Sequence, residues 1–296
     1  MTSTSESPPQ TEDTKPAEEP INWWAEVRGL IGMFACVILF HSLIAKPFYI
    51  PSASMLPGLY VGDHLVVSKY PYGWNWASAS FHILPRSATR IWPRTPEYGD
   101  VVIVVPRGRP GEDYIKRVVA LPNDRIAVVD GQIILNGKKV PQAVEPPAEI
   151  PLDAIKSDED PNPCEGYGFI GLKQRKPSGQ EVCEIPAYRE TLPNGASYLI
   201  LDHMRQPFDN MAEIRVPAGH VFVMGDNRDH SADSRVALEE RGLGGPVPIS
   251  DIGGRAEFLT HSFDGTTGWN PITWVSGLRS GRSWQTLRPA IDPHHK

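Results

Sequence analysis

Residues 113–140 read DYIKRVVALPNDRIAVVDGQIILNGKKV, and the fold class follows from them. Short blocks of aliphatic and β-branched side chains, Tyr114–Leu121, Ile126–Val129 and Gln132–Leu135, are separated by turn residues, with Lys138–Val140 beyond. Asp130-Gly131 divides the second block from the third, and Asn136-Gly137 follows the third. Both dipeptides suit the tight hairpin turn whose two central residues need positive φ. The spacing therefore predicts an antiparallel meander.

Outward from this stretch the same grammar recurs. Further candidate strands are His64–Val67, Val101–Val105, Tyr198–Leu201, His220–Val223 and Ala256–Leu259, and no long amphipathic helical period follows residue 50. The fold is expected to be mainly β. Residues 141–197 are proline-rich and acidic and read as irregular. They mark an inserted β subdomain over 126–213 between two parts of an antiparallel core, 47–125 and 214–296.

One segment breaks the pattern. Gly29–Ala45 is an uncharged run, GLIGMFACVILFHSLIA, bounded by Arg28 and Lys46. As a helix its 17 residues span about 26 Å, close to a bilayer core of about 30 Å. Trp23 and Trp24 before it and Phe48 and Tyr49 after it suit the two interfaces. A cleaved secretory leader fits poorly, because the chain's start is acidic and Leu43 occupies the −3 position relative to Ala45. A buried core helix is the other alternative, but an apolar face all round without amphipathic period is uncommon in soluble domains. The run reads as one uncleaved transmembrane anchor within residues 23–46, preceded by a disordered tail over 1–22. Lys15 and Arg28 before the span against Lys46 after it favour a cytoplasmic N-terminus.

Composition narrows the function classes. The chain of 296 residues is 40% hydrophobic, too little for several membrane spans, and its net charge of −6 offers no footprint for nucleic acid. The 30 prolines and 26 glycines imply many turns. Of three cysteines, Cys36 lies in the span, leaving Cys164 and Cys183 either as a disulfide of an oxidising compartment or as two free thiols. No nucleotide-binding glycine loop, zinc-protease motif or Cys-x-x-Cys is present, and Asp226–Arg235 lacks calcium-loop spacing because Arg228 falls on a ligand position. Neither a cofactor nor a metal is expected.

Three segments carry chemistry. Pro51-Ser52-Ala53-Ser54-Met55-Leu56-Pro57 presents two hydroxyls on a stiff turn, with Ser54 nine residues past the anchor. In Tyr114–Leu121, strand alternation places Lys116 on a mostly apolar face with Tyr114, Val118 and Ala120. Burial disfavours an ammonium, so such a lysine can act as a base toward a serine hydroxyl; an edge lysine reaching water is the plain alternative. The third segment, His220–Arg235, ends a hydrophobic strand in the charge-dense loop GDNRDHSADSR.

The order of anchor, PSASM, GDHLVVSKY, YIKRVVALPND and GHVFVMGDNRDHSADSR closely resembles the bacterial type I signal peptidases, or leader peptidases, over residues 23–125 and 214–260. The resemblance implies a Ser-Lys dyad with Ser54 as nucleophile and Lys116 as general base. It further implies Ser52 as an oxyanion-hole hydroxyl, Ser231 as the residue orienting the lysine, and Tyr114 as lining the substrate and lysine environment. Asp233 and Arg235 match the family's structural ion pair. Departures from the family pattern are Gly58 in place of threonine, Asn123 in place of glycine and His230 in place of asparagine. The implied protein is a membrane-bound endopeptidase without a cofactor, its oligomeric state open and a monomer favoured. Its partners are the signal peptides of exported preproteins and the phospholipid bilayer, at the outer face of the inner membrane. The competing reading is a catalytically inactive, membrane-anchored peptide-binding β-domain.

Overall fold

A computed structural model describes residues 22–82, 84–109, 111–153, 164 and 172–291. The tail expected over 1–22 falls, up to residue 21, outside the described residues, as does most of 154–171. The chain forms two compact units, Met1–Val37 and Ile38–Lys296. Helix α1, Trp23–Leu43, supplies the first unit's described structure and buries none of its side chains. Its 21 residues span about 31 Å, and among the described residues it is the one helix long and apolar enough to cross a membrane.

The second unit is built from strands, in chain order β1 Ala45–Tyr49, β2 Asp63–Ser68, β3 Val101–Val104, β4 Tyr114–Ala120, β5 Arg125–Val129, β6 Gln132–Leu135, β7 Lys138–Lys139 and β8 Gln142–Pro151. There follow β9 Leu172–Arg175, β10 Glu181–Thr191, β11 Ala196–Leu201, β12 Met211–Arg215, β13 His220–Met224, β14 Val247–Pro248, β15 Ile252–Ser262 and β16 Ala290–Ile291. The main antiparallel sheet runs β1-β2-β15-β3-β4-β13-β14. Its central strand β3, Val-Val-Ile-Val, is buried on both faces. That continuous apolar run suits a strand covered from two sides. Ile50, Leu65, Val67, Ile103 and Leu259 fill one side, and Val102, Val104, Val118 and Val223 the other.

Three strands separate β1 from β4 in this sheet, yet the turn that follows β1 has to meet β4. Curling of the sheet closes the gap. Long β15 carries irregularities at Ile252/Gly254, Ala256/Phe258 and Leu259/His261, and each bulge bends and twists its strand. At Gly254 a Cβ would stand 2.5 Å from the Ser68 carbonyl oxygen, so only glycine permits that approach.

The expected meander is present. β5, β6 and β7 pair in order, and β12 adds to the outer edge of β5. Asp130-Gly131 and Asn136-Gly137 all have positive φ, 48° and 81°, then 53° and 79°. The inserted segment is β as expected, and more regular than its composition suggests. β8 and β10 form a long antiparallel pair, flanked by β11 and β9. Three of its prolines sit where the ladder slips: Pro186 falls at the register shift between Ile185 and Ala187, opposite Pro146 and Pro147. Cys164 and Cys183 are joined by a disulfide with a Cα–Cα separation of 5.6 Å.

Candidate active site

The connection from β1 to β2 carries Ser52 and Ser54, β4 carries Lys116, and β13 delivers the loop 225–235. All three converge. Lys116 Nζ donates to Ser54 Oγ at 2.9 Å and to the Ile115 carbonyl at 3.0 Å, with Ser54 and Lys116 only 7% and 4% exposed. Ser52 Oγ lies 3.4 Å from Ser54 Oγ. The Tyr114 ring stands 5.5 Å from Lys116 Nζ, and its hydroxyl donates to the Arg241 carbonyl.

The loop grips the serine turn by its backbone. Asn227 N–H donates to the Ser54 carbonyl at 3.1 Å, and Asn227 Nδ2 donates to the Ala53 carbonyl at 3.2 Å. Gly225 approaches so closely that a Cβ there would lie 2.2 Å from Ser231 Oγ and 2.5 Å from the Ser54 carbonyl oxygen. Asp233 accepts from Gly225 N–H and from both Nε and Nη2 of Arg235, a pair with no solvent exposure. Burial alone would raise the Asp233 pKa, but the Arg235 charge and these hydrogen bonds hold it below the usual carboxylate range.

A second buried pair supports the lysine's strand. Arg117 forks onto Asp226 at 2.7 and 2.6 Å and also donates to the Gly99 carbonyl. Burial opposes charge on Arg117, and the Asp226 carboxylate more than offsets it. From the other side, Arg282 binds Asp63, donates to the Gly58 carbonyl and stacks 3.7 Å over the Tyr60 ring. Asp63 in turn accepts from Tyr60 N–H, closing the serine turn.

Of the residues singled out in the sequence, Ser52, Ser54, Lys116 and Tyr114 come together, and Asp233 pairs with Arg235. Ser231 is the exception in detail. It is buried beneath Gly225, but its hydroxyl makes no hydrogen bond among the described residues, to Lys116 or otherwise. Asn227, Arg117, Asp226 and Arg282 were not singled out. Asn227 and Asp226 sit inside the GDNRD segment, whose density was the available signal; nothing local marks Arg282. No cluster of three or more His, Cys, Asp or Glu side chains able to hold a metal occurs among the described residues.

Comparison with known proteins matches residues 23–261 to the family described as Signal peptidase, peptidase S26. Signal peptidase I of Rickettsia typhi is 31% identical over 273 residues, covering 85% of this chain and 89% of that protein. Signal peptidase I of Rickettsia conorii is 30% identical over 280 residues, covering 86% and 91%. A solved signal peptidase I from Enterococcus faecalis aligns with 17% identity and a TM-score of 0.27, covering 55% of this chain and 97% of that one. The chain belongs to the signal peptidase family, peptidase S26, and is a peptidase of signal peptides.

Proposed function

We propose that this protein is a membrane-bound serine endopeptidase that removes N-terminal signal peptides from exported preproteins with a Ser54–Lys116 dyad. The observation that carries the reading is the 2.9 Å contact between a buried amine and a serine hydroxyl. Neutral Lys116 takes the Ser54 proton as Oγ attacks the scissile carbonyl. Burial favours that neutral amine by removing the water an ammonium needs. The negative charge gathers on the former carbonyl oxygen, where the Ser52 hydroxyl and the Ser54 backbone N–H donate; one such donor is typically worth about 10²–10³ in rate. Lys116 passes its proton to the leaving amine. It then takes one from the water that hydrolyses the acyl-enzyme, restoring Ser54.

Anchoring suits the substrate. The apolar core of a signal peptide lies in the bilayer and its cleavage site emerges at the surface, where a serine nine residues past the membrane run can meet it. The N-terminus is assigned to the cytoplasm and the β unit to the outer face of the inner membrane. The peptide adds as a strand beside the site.

Cleavage of a preprotein by the purified full chain in phospholipid vesicles tests this. Ser54→Ala and Lys116→Ala should each lower kcat by about 10⁴-fold or more. Lys116→Arg should be equally inactive, because a guanidinium holds its proton near neutral pH. Full activity of both alanine variants would sink the dyad, and an active arginine variant would sink the neutral base. A chain that binds signal peptide without cleaving it would instead support the inactive peptide-binding domain.

A further inference from the structure

Behind the loop that grips Ser54 lies a carboxylate contributed by the inserted subdomain. Glu190, near the end of β10, is fully buried and far in sequence from every dyad residue. It accepts two hydrogen bonds from the Arg228 guanidinium, at 3.1 and 2.5 Å, one from the Tyr198 hydroxyl at 2.6 Å and one from Gln142 Nε2 at 3.1 Å. Arg228 is 1% exposed and its Nε donates to the Gly225 carbonyl at 3.2 Å. The Arg228 carbonyl accepts from Arg235 at 2.7 Å. Tyr198 also carries the Arg117 guanidinium 4.1 Å above its ring.

These contacts form an unbroken chain. Glu190 fixes Arg228, Arg228 fixes the Gly225 carbonyl, and Gly225 and Asn227 stand directly against the Ser54 carbonyl. We infer that Glu190 is a positioning residue for the peptidase reaction, through which the inserted subdomain sets the place of the Ser54 backbone. The inference rests on the Ser54–Lys116 reading. Its physical basis is that a buried guanidinium cannot be left unpaired at low cost. Without Glu190, Arg228 must seek water or another carboxylate, and Asp202 already lies within its electrostatic reach. Either move pulls on the Gly225 carbonyl, and with it the wall behind Ser54. The inserted subdomain is thereby part of the catalytic geometry rather than an appendage to it.

The test compares Glu190→Gln with the unaltered full chain in preprotein cleavage, at a temperature where circular dichroism shows both folded. Glutamine keeps the shape and removes the charge. Displacement at the reacting atoms can cost about 10²-fold, so kcat is expected to fall between about tenfold and a hundredfold while KM stays within about a factor of two. A purely structural role would lower the folded fraction and leave the kcat of the folded enzyme unchanged. Where Glu190→Gln does not fold, Tyr198→Phe decides, since it removes one of the carboxylate's hydrogen bonds and keeps the ring beneath Arg117. It should lower kcat by a smaller factor with KM unchanged. Folded variants with unaltered kcat overturn the inference while Ser54→Ala remains inactive; activity in Ser54→Ala overturns the dyad itself.

Discussion

Gly225→Ala is the sharpest probe of how the serine is held. The added Cβ would stand 2.5 Å from the Ser54 carbonyl oxygen, against an ordinary contact of 3.4–4 Å, so one side must retreat by about 0.9 Å. No rotamer relieves this, because the obstacle is backbone. The Ser54 carbonyl is also tied to Asn227 N–H, and the loop is tied through Asp233, so the strain passes to Ser54 and its 2.9 Å contact with Lys116. A displacement near 1 Å at reacting atoms costs about 100-fold in rate, whereas overpacking of this kind costs about 1–3 kcal/mol in stability. Steady-state cleavage of a preprotein and denaturant unfolding, measured on the same preparation, separate the two. The expected result is kcat down about 100-fold in an enzyme that is still folded. The alanine would also strike Ser231, at 2.2 Å from Oγ and 2.5 Å from Cβ. Gly225→Ala combined with Ser231→Gly removes those two clashes and leaves the one with Ser54. That double variant should stay impaired; recovery of activity would refute the claim that backbone contact with Ser54 is what matters.

Three further outcomes follow from other parts of the molecule. Burial, reinforced by Asp229 and Asp209 against the pull of Arg228, raises the Asp202 pKa to about 6. A raised folded-state pKa means the group's favourable contribution is complete below about pH 4 and lost as pH climbs through 6. Asp202→Asn should therefore leave stability unchanged at pH 4 and increase it by about 2 kcal/mol at pH 8, read from denaturant midpoints; the reverse order would refute the assignment. Replacing both Cys164 and Cys183 with alanine opens a loop of 19 residues and should cost about 3 kcal/mol in denaturant unfolding, with no loss on treating the variant with reductant. Arg282→Ala leaves Asp63 buried without its guanidinium partner and should destabilise by about 3 kcal/mol, visible as a lower melting temperature; an unchanged melting temperature would show the pair to be dispensable.

Much of this was legible in the sequence, for reasons that are local. A two-residue turn needs positive φ at both positions, and Asp-Gly and Asn-Gly announce that requirement in adjacent letters. Helix α1 was legible because Gly29–Ala45 runs for 17 residues without a charge. The burial of Lys116 was legible from strand alternation, but Ser54, the side chain it meets, lies 62 positions earlier. The pairing of β8 with β10 was hidden because proline ordinarily excludes a ladder, and here Pro146, Pro147 and Pro186 sit at a slip in register. The Ser231 hydroxyl, implied by resemblance to orient the lysine, is buried nearby with no hydrogen bond among the described residues. Proximity was readable; hydrogen-bond geometry was not.

The charged loop shows where such reading ends. Asp226 to Arg235 holds three aspartates and two arginines, and from composition alone both arginines could find a carboxylate within the loop. Of these arginines and aspartates, among the described residues, Asp233 and Arg235 pair with each other. Asp226 is taken by Arg117 from β4, and Arg228 by Glu190 from β10. Each external partner comes from a strand with its own reason to be near: β4 carries the lysine, and β10 carries the insertion. A loop closed on itself could drift as a unit. One bound to two different strands fixes the distance between them, and Ser54 is seated against that loop by Asn227 and Gly225. The charges in this segment thus act less as local decoration than as the joint that makes the position of Ser54 depend on both the lysine's strand and the inserted sheet.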